Sequence, residues 1–342
     1  MFLPASVQRS IELGPFSVVR LPLSVLSRCV CVCVCPIKHE QARKTDYGKL
    51  KTALVLFGVV LIPAVASSQS VERIVYASVV DQAGAPVSGL TVRDFVVREN
   101  SGEREVLRVS PATEPLDLAV LVDTSQAVEP FIGDLRRGLT EFLKAIGTRH
   151  QIALIGFGER PKALVDYTRD LKRVTDGANR LFAQSGSGAY LMDALIDVSR
   201  GLRKRENTRR SIVVITSEGP EFSSRFSRDV LDEARESGAR IDAFVITDRP
   251  SSELSASTSF QDQAAQERAM ALSEAPRMTG GRRDDLVSSL GLGARLRELA
   301  NELNNQYRVV YARPAALIPP TSIEVQLTRP ELRVRATRIP PK

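Results

Sequence analysis

The chain has 342 residues, 43% of them hydrophobic and 25% charged, which is long enough for about two domains with a sizeable core. Its formal charge of +7 is concentrated at the front, because residues 1–51 hold eight of the 47 Lys and Arg but three of the 40 Asp and Glu. The remainder carries a formal charge of only +2. This near-balance argues against a nucleic-acid-binding protein, which requires basic residues clustered on one face or groove.

An export signal is predicted at residues 49–68. Lys49 and Lys51 precede an apolar run, which ends in small residues and a polar Ser-Ser-Gln-Ser stretch. This order is that of a secretory signal peptide. The apolar run is shorter than the roughly 20 residues of a membrane-spanning helix, so a retained anchor is the weaker alternative. The sequence therefore predicts a secreted or periplasmic protein that meets the membrane only through this segment if it stays uncleaved.

Residues 1–48 precede the signal and are interpreted as a non-native or disordered extension, as an overextended gene start would produce. They contain all four cysteines, in an alternating Cys-Val tract that begins at Cys29 and ends at Cys35. Alternation places every thiol on one face of an extended strand, whereas zinc sites usually need two separated pairs. The mature protein is expected to have neither a thiol nor a disulfide.

Residues 71–112 are predicted to form a small β region. Alternating side chains from Glu72 indicate a first strand, and a second unit resembles a hairpin with its loop at Asn100. About forty residues are too few for an independent sandwich. We therefore expect residues 313–342, predicted as a C-terminal β-hairpin tail, to complete this small sheet.

Strands and helices alternate in the intervening residues, 116–312. The strands are predicted at 116–122, 151–157, 163–167, 211–216, 240–247 and 307–311, and the helices at 130–146, 170–182, 191–202, 228–237, 261–274 and 286–303. This order predicts an α/β fold with a doubly wound, mostly parallel sheet flanked by helices. The short third strand suits an antiparallel edge, and the serine-rich residues 250–260 are typical of an exposed loop.

The first of these strands runs directly into Asp123-Thr124-Ser125-Gln126-Ala127. A buried strand ending in Asp-x-Ser-x-Ser resembles the first loop of the von Willebrand factor type A (vWA) domain. The stretches VVDQAGAPVSGLTVRDFVVREN and LRELANELNNQYRVVY also resemble bacterial secreted proteins with a vWA-related domain, many of them described from Acidobacteria. The resemblance implies a Rossmann-like fold in which oxygens from three loops hold a divalent cation at a metal-ion-dependent adhesion site.

Each of the three loops departs from the family pattern at one position. Ala127 stands where the first loop has its second Ser, and Ala189 replaces the Thr of the second loop. Ser217 replaces the Asp of the third loop. A methyl group cannot ligate, and Mg²⁺ demands near-octahedral oxygen coordination. The resemblance therefore implies a degenerate site.

The residues left to such a metal site are Asp123, Ser125 and, after a one-residue shift in the third loop, Glu218. We expect Mg²⁺ or Mn²⁺ to bind weakly or not at all, and no other cofactor is implied. The alternative is that Asp123 caps the following turn while Ser125 bonds to backbone groups, a common task for these residue types. No catalytic residue is predicted, and His150 is interpreted as a surface or capping residue, since a catalytic triad needs further fixed partners.

The leading hypothesis is a metal-independent, extracytoplasmic protein-binding module of the adhesion type, and not an enzyme. Its contact face is predicted at Thr124, Gln126, Tyr190, Ser217, Glu218 and Glu221. One alternative is a secreted hydrolase that uses an atypical carboxylate site at Asp123, Glu218 and Glu221. The other is a structural protein of the cell envelope.

Amino-terminal sequencing of the exported protein tests the predicted signal. We expect the mature chain to begin between Ser67 and Ser70, because the small residues that favour cleavage end there. Recovery of the Cys tract on exported protein would contradict the prediction.

Overall fold

A computed structural model describes residues 70–247, 259–315 and 318–339. The predicted signal, the extension before it and nearly all of the loop predicted at 250–260 lie outside these residues. No helix among the described residues is long and apolar enough to cross a membrane.

Thirteen strands and six α-helices form within the described residues. The strands are β1 Ser70–Val80, β2 Phe95–Glu99, β3 Gly102–Arg104, β4 Val106–Pro111, β5 Asp117–Val122, β6 Gln151–Gly156, β7 Lys162–Thr168, β8 Arg210–Ser217, β9 Arg240–Ile246, β10 Arg283–Leu286, β11 Tyr307–Pro314, β12 Ile323–Leu327 and β13 Arg333–Ala336. The helices are α1 Ile132–Ile146, α2 Leu171–Asn179, α3 Leu191–Arg203, α4 Ser227–Ser237, α5 Ser259–Thr279 and α6 Leu292–Asn304.

The central sheet has six strands in the order β10-β9-β8-β5-β6-β7. All neighbours are parallel except β6 and β7, which are antiparallel. The helices α1, α2 and α6 pack on one face, and α3, α4 and α5 pack on the other. Because both faces are covered, β5 and β8 have nearly continuous apolar sequences. The predicted doubly wound, mostly parallel sheet with an antiparallel edge is confirmed.

Helix α1 shows how the sequence pattern positions an element against this sheet. Its buried residues Leu135, Leu139, Phe142 and Leu143 recur at helical spacing and form one apolar face. The helix ends at Gly147, whose positive φ of 77° suits a residue without a side chain. A short 3₁₀ turn precedes it, so the α-helix begins later than the predicted 130.

The prediction of a helix over 286–303 is wrong at its start. Residues Arg283–Leu286 form the edge strand β10, parallel to β9, and α6 begins at Leu292. An edge strand has only one neighbour and keeps charged side chains in water, so the Arg-Asp-Asp composition conceals it. Helix α5 is also longer than the predicted 261–274.

The N- and C-terminal strands form a small sandwich of two antiparallel sheets. Their orders are β13-β1-β11-β4 and β12-β2-β3. The core between them includes Val75, Phe95, Val97, Val309 and Ile323. The predicted accessory β region built from both ends of the chain is therefore confirmed.

Two details of this region differ from the predictions. The last two strands do not form a hairpin with each other, because β12 pairs with β2 and β13 pairs with β1. Strand β11, predicted within the 116–312 region, pairs with β1 and β4 and so contributes to the sandwich. Its pattern shows a strand but carries no information about its partner.

The hairpin loop at Asn100 is present between β2 and β3. Glu99 pairs with Gly102, which leaves Asn100 and Ser101 as a two-residue loop with φ of 47° and 70°. Positive φ at both positions belongs to a type I′ turn, whose twist matches that of paired strands. The Asn100 side-chain oxygen also accepts hydrogen bonds from the backbone N–H groups of Thr321 (2.9 Å) and Ser322 (3.1 Å), ahead of β12.

A buried ionic cluster attaches the sandwich to the central sheet. The Arg240 guanidinium, at the start of β9, bonds to Asp242 (2.8 and 2.9 Å), Glu302 (2.7 Å) and the Ser78 hydroxyl (2.7 Å). Arg335 of β13 bonds to Glu302 at 2.6 Å. Because these contacts lie at the amino end of β9, the sandwich occupies the edge opposite the carboxyl ends of the parallel strands.

Removing the residues after Pro319 should destabilise the sandwich, because β1 would lose its neighbour β13 and β2 would lose its neighbour β12. We expect a lower melting temperature and earlier proteolysis within β1 and β2, measured by calorimetry and limited digestion. The single substitution Ile323→Ala should lower the free energy of unfolding by about 2–5 kcal/mol, because the Ile323 side chain is buried in this core.

The matched control is Glu324→Ala on the same strand, whose side chain is exposed and whose loss should change stability by less than about 0.5 kcal/mol. Equal melting temperatures for the two point variants would contradict the sandwich.

Candidate functional site

The candidate site lies where β5 and β8 end side by side in the middle of the sheet. Asp123, directly after β5, is completely buried. One of its carboxylate oxygens accepts a hydrogen bond from the Ser125 backbone N–H at 2.8 Å. The other accepts one from the Thr216 hydroxyl at 2.8 Å and one from the Ser217 N–H at 3.4 Å. Asp123 thus caps its own turn and also fixes the end of the neighbouring strand.

Arg268, on α5, completes this buried network. Its guanidinium donates to the Thr216 hydroxyl and to the Gly219 carbonyl, each at 2.6 Å, and also to the Ser217 carbonyl. The Thr216 hydroxyl accepts from Arg268 and donates to Asp123, so a single oxygen links the positive and negative groups. The side chain of Arg268 is only 6% exposed.

Glu221 is a second buried carboxylate close to this guanidinium. One of its oxygens lies 3.8 Å from Arg268 Nε, and the other accepts a hydrogen bond from the Ser223 N–H at 3.1 Å. Burial raises the pKa of the Glu221 carboxyl above its usual value, although Arg268 and Ser223 act to lower it. The loop around Glu221 pairs with Ala189, which brings the second and third loops together.

The hydroxyls of Ser125 and Ser217 are buried and make no hydrogen bond to the described residues. Each lies 3.7 Å from the point where a Cβ on Gly219 would stand, so both border the same small space. The Ala127 methyl lies 2.5 Å from that point. Neutral hydroxyls and a methyl group therefore surround this space.

These residues do not fit a tightly held divalent cation. The Asp123 carboxylate is already bonded to three donors, and Arg268 already supplies a positive charge there. A second cation would face this guanidinium in a buried setting where repulsion is poorly screened. Within the part of the chain that the structure describes, no cluster of three or more His, Cys, Asp or Glu side chains is arranged to hold a metal. Glu218, proposed as a ligand after a one-residue shift, has an exposed side chain.

Three of the six residues predicted for the contact face are buried. Thr124, Ser217 and Glu221 have exposed fractions of 6%, 3% and 2%, so their side chains do not reach a partner. The Thr124 hydroxyl instead accepts from the Gly158 N–H at 2.9 Å. Sequence proximity to the strand ends had suggested exposure, but loop packing turns these polar groups towards each other.

Gln126 and Tyr190 do lie on the surface, together with Phe222, which the sequence analysis did not select. The rings of Tyr190 and Phe222 pack edge to face, with centroids 6.2 Å apart. The Phe222 side chain is 39% exposed. Gly188 is required beneath it, because a Cβ there would lie 2.5 Å from the ring.

A cleft of about 700 Å³ adjoins this aromatic pair. It is lined by residues 158–162, residues 185–188, Tyr190 and Phe222. The segment at 158–162 contributes the exposed charged residues Glu159, Arg160 and Lys162. The surface at this edge of the sheet therefore combines aromatic rings, backbone and exposed charged side chains of both signs.

His150 is buried, so of its two interpretations, as a surface or a capping residue, the surface one is wrong and the capping one fits. Its Nδ1 accepts from the Leu116 N–H at 3.1 Å, and its Nε2 lies 2.9 Å from the Asn304 side-chain oxygen. Burial lowers the pKa of His150 below its usual value, and the positive charges of Arg209 and Arg149 lower it further, against the Asn304 contact. The residue caps the entry to β5 as a neutral ring.

The sequence around this site matches a known protein family. Residues 118–220 match the von Willebrand factor type A domain, and the matched region runs from β5 to the loop after β8. This segment is therefore vWA-like, and its loops at Asp123, Ala189 and Ser217 form the site described above. A search of curated protein sequences gave no match.

Several solved structures resemble the chain. BatB, a conserved hypothetical protein from Bacteroides thetaiotaomicron, is 12% identical, with a TM-score of 0.40 over 55% of this chain and 98% of that one. A von Willebrand factor type A protein from Catenulispora acidiphila is 11% identical, with a TM-score of 0.44 over 75% and 67%. The pilus adhesin SpaC from Lactobacillus rhamnosus GG is 12% identical, with a TM-score of 0.43 over 77% and 48%.

The residue that sequence reasoning missed most clearly is Arg268. Its signal was available, because it falls at helical spacing among the buried positions Ala264, Ala271, Leu272 and Ala275 of α5. An arginine on the apolar face of a helix needs buried acceptors. The sequence showed that it needed partners but not which loop supplied them.

The buried His150 predicts a specific dependence of stability on pH. Below its usual pKa of 6.5, the unfolded chain takes up a proton that the folded protein resists. The free energy of unfolding should therefore fall as the pH is lowered below 6.5. His150→Gln keeps an acceptor for Leu116 and a donor for Asn304 but does not titrate.

Denaturant unfolding of both proteins between pH 7.5 and 5.5 measures this effect. We expect a smaller loss of stability for the variant, and identical losses would show that His150 does not contribute.

Proposed function

We propose that this protein is an extracytoplasmic binding module that holds a protein partner at the carboxyl edge of its vWA sheet, without a bound metal or other cofactor. The observation that carries the proposal is the exposed aromatic pair of Tyr190 and Phe222 beside the cleft. Partly exposed aromatic rings are the side chains that protein interfaces use most effectively as anchors. The location outside the cytoplasm rests on the predicted signal at residues 49–68.

The position of this surface supports the proposal. Doubly wound sheets bind their ligands at the carboxyl ends of the strands, and the sandwich occupies the opposite edge. Gln126 contributes a polar group there and is itself held in place, because its side-chain oxygen accepts from the Gly186 N–H at 2.8 Å. Exposed aromatic and polar groups on fixed loops favour recognition of another folded surface or peptide.

Absence of enzymatic activity is part of the same proposal. The hydrolase alternative requires Asp123, Glu218 and Glu221 to activate water, and general acid–base catalysis requires a group within reach of the substrate. Asp123 is buried and bonded to three donors, and Glu221 is buried beside Arg268. These contacts support a structural role for both carboxylates.

Site-specific photocrosslinking in the producing cell tests the proposed face. A photoreactive residue in place of Ser185, an exposed residue of the cleft, should give a discrete crosslinked product. Phe222→Ala should reduce its yield severalfold, because the aromatic anchor is lost, and EDTA should leave the yield unchanged.

The matched control places the same photoreactive residue at Gln82, which is exposed on the sandwich. Equal products from Gln82 and Ser185 would contradict the proposed face, and loss of the product with EDTA would contradict metal independence. Turnover of hydrolase substrates by the purified protein, abolished by Glu218→Gln, would instead support the enzyme alternative.

A further inference from the structure

We infer that Arg268 is the built-in cation of this vWA site: its guanidinium fixes the loops at Asp123 and Ser217 and keeps divalent metals out. The inference deepens the proposed function, since it rests on the metal-free character of the face. Its tests measure stability and metal binding, so they can fail independently of any partner.

Arg268 is surrounded by oxygen acceptors in the way that a bound cation is, and it does not form a simple ion pair at the surface. Its guanidinium gathers a hydroxyl at Thr216 and two backbone carbonyls, at Ser217 and Gly219, which all belong to the segment that ends β8. A planar guanidinium has five N–H donors in fixed directions and can satisfy several oxygens at once. Arg268 therefore binds the third loop as a bound cation would, through oxygen atoms.

The charge distribution shows why this cation is needed. Asp123 and Glu221 are both buried, and each lies close to the guanidinium: Glu221 directly and Asp123 through the Thr216 hydroxyl. Buried carboxylates require compensating charge or hydrogen bonds. Arg268 supplies that charge as part of the chain, so the charge is present whatever the concentration of metal ions in the solution.

The anchorage of α5 makes the guanidinium a fixed group. Ala271, Leu272 and Ala275 of the same helix pack in the core beneath α3 and the sheet. The arginine cannot leave the site without either moving this helix or burying an unpaired charge, which is strongly unfavourable. A divalent cation would have to displace a group that the fold itself holds in place.

The stability test compares Arg268→Met with Arg277→Met. The first keeps an unbranched apolar stem but removes the charge and the hydrogen bonds of the guanidinium. The second removes a guanidinium of the same helix that is 61% exposed and paired only with the neighbouring Glu274 in the contacts described. Arg268→Met should lower the melting temperature by roughly 6 °C or more, while Arg277→Met should change it by less than about 2 °C. Equal shifts would overturn the inference.

The charge test introduces Ser217→Asp with and without Arg268. When Arg268 is present, its guanidinium can pair with the added carboxylate, so Ser217→Asp should leave the melting temperature unchanged or raise it. In the Arg268→Met background it adds a third buried carboxylate and should lower the melting temperature. The two single variants and the double variant form a double-mutant cycle. A cycle without coupling would overturn the inference.

The metal test uses MnCl₂ and MgCl₂ as the probes in calorimetry. The variant Ala127→Ser, Ala189→Thr, Ser217→Asp restores the oxygen donors that the family pattern implies. With Arg268 present it should bind Mn²⁺ at least about tenfold more weakly than the same variant carrying Arg268→Met, because two cations would occupy one buried site. Circular dichroism checks that both variants are folded.

Equal Mn²⁺ affinities of the two folded variants would show that Arg268 does not exclude the metal. If either fails to fold, the double-mutant cycle above decides the question alone.

Discussion

The hydrogen bond from the Thr216 hydroxyl to Asp123 is the contact on which the site depends, because it joins the ends of the two central strands. Strands β5 and β8 lie side by side and are buried on both faces, so any polar group at their ends must find a partner inside the protein. Asp123 receives donors from both strand ends, and the surrounding loops take their positions from that requirement. The polar residues nearest the strand ends therefore form hydrogen bonds with one another. The residues around them form the surface that a partner could contact.

In this site the side chain of Arg268 brings a positive charge from a helix. The guanidinium of Arg268 reaches the same loop whose residues hold a cation in proteins with the complete motif, and it does so through oxygens of Thr216, Ser217 and Gly219. An arginine differs from a metal ion because it cannot dissociate and its donors have fixed directions. If Arg268 acts as the cation of the site, as inferred above, the loops keep one arrangement at all metal concentrations. A partner that recognises this face would have to recognise its shape, its aromatic pair and its exposed polar groups.

Among the described residues, the sandwich lies at the edge of the sheet opposite that face. The sandwich is attached at the amino ends of the strands through Arg240 and the carboxylates of Asp242 and Glu302. Removing one member of such a buried cluster would leave the others unpaired and would be strongly destabilising. The first and the last of the described residues contribute strands to the sandwich, and β11 returns from α6 to join them. The β-sandwich and the proposed contact face thus lie at opposite edges of the central sheet.

The sequence by itself determined the α/β class, the order of most strands and helices, the antiparallel edge and the three loops that meet at one end of the sheet. These features follow from local periodicity, turn residues and the apolar character of strands covered on both faces. It also predicted that Ala127, Ala189 and Ser217 replace oxygen donors of the family pattern that the chain resembles. Only the tertiary structure decided that Thr124, Ser217 and Glu221 are buried, that β12 and β13 join different sheets, and that Arg268 reaches the site. Each of these depends on which segments distant in sequence meet in space, and periodicity records how a segment folds but not the neighbour that it will contact.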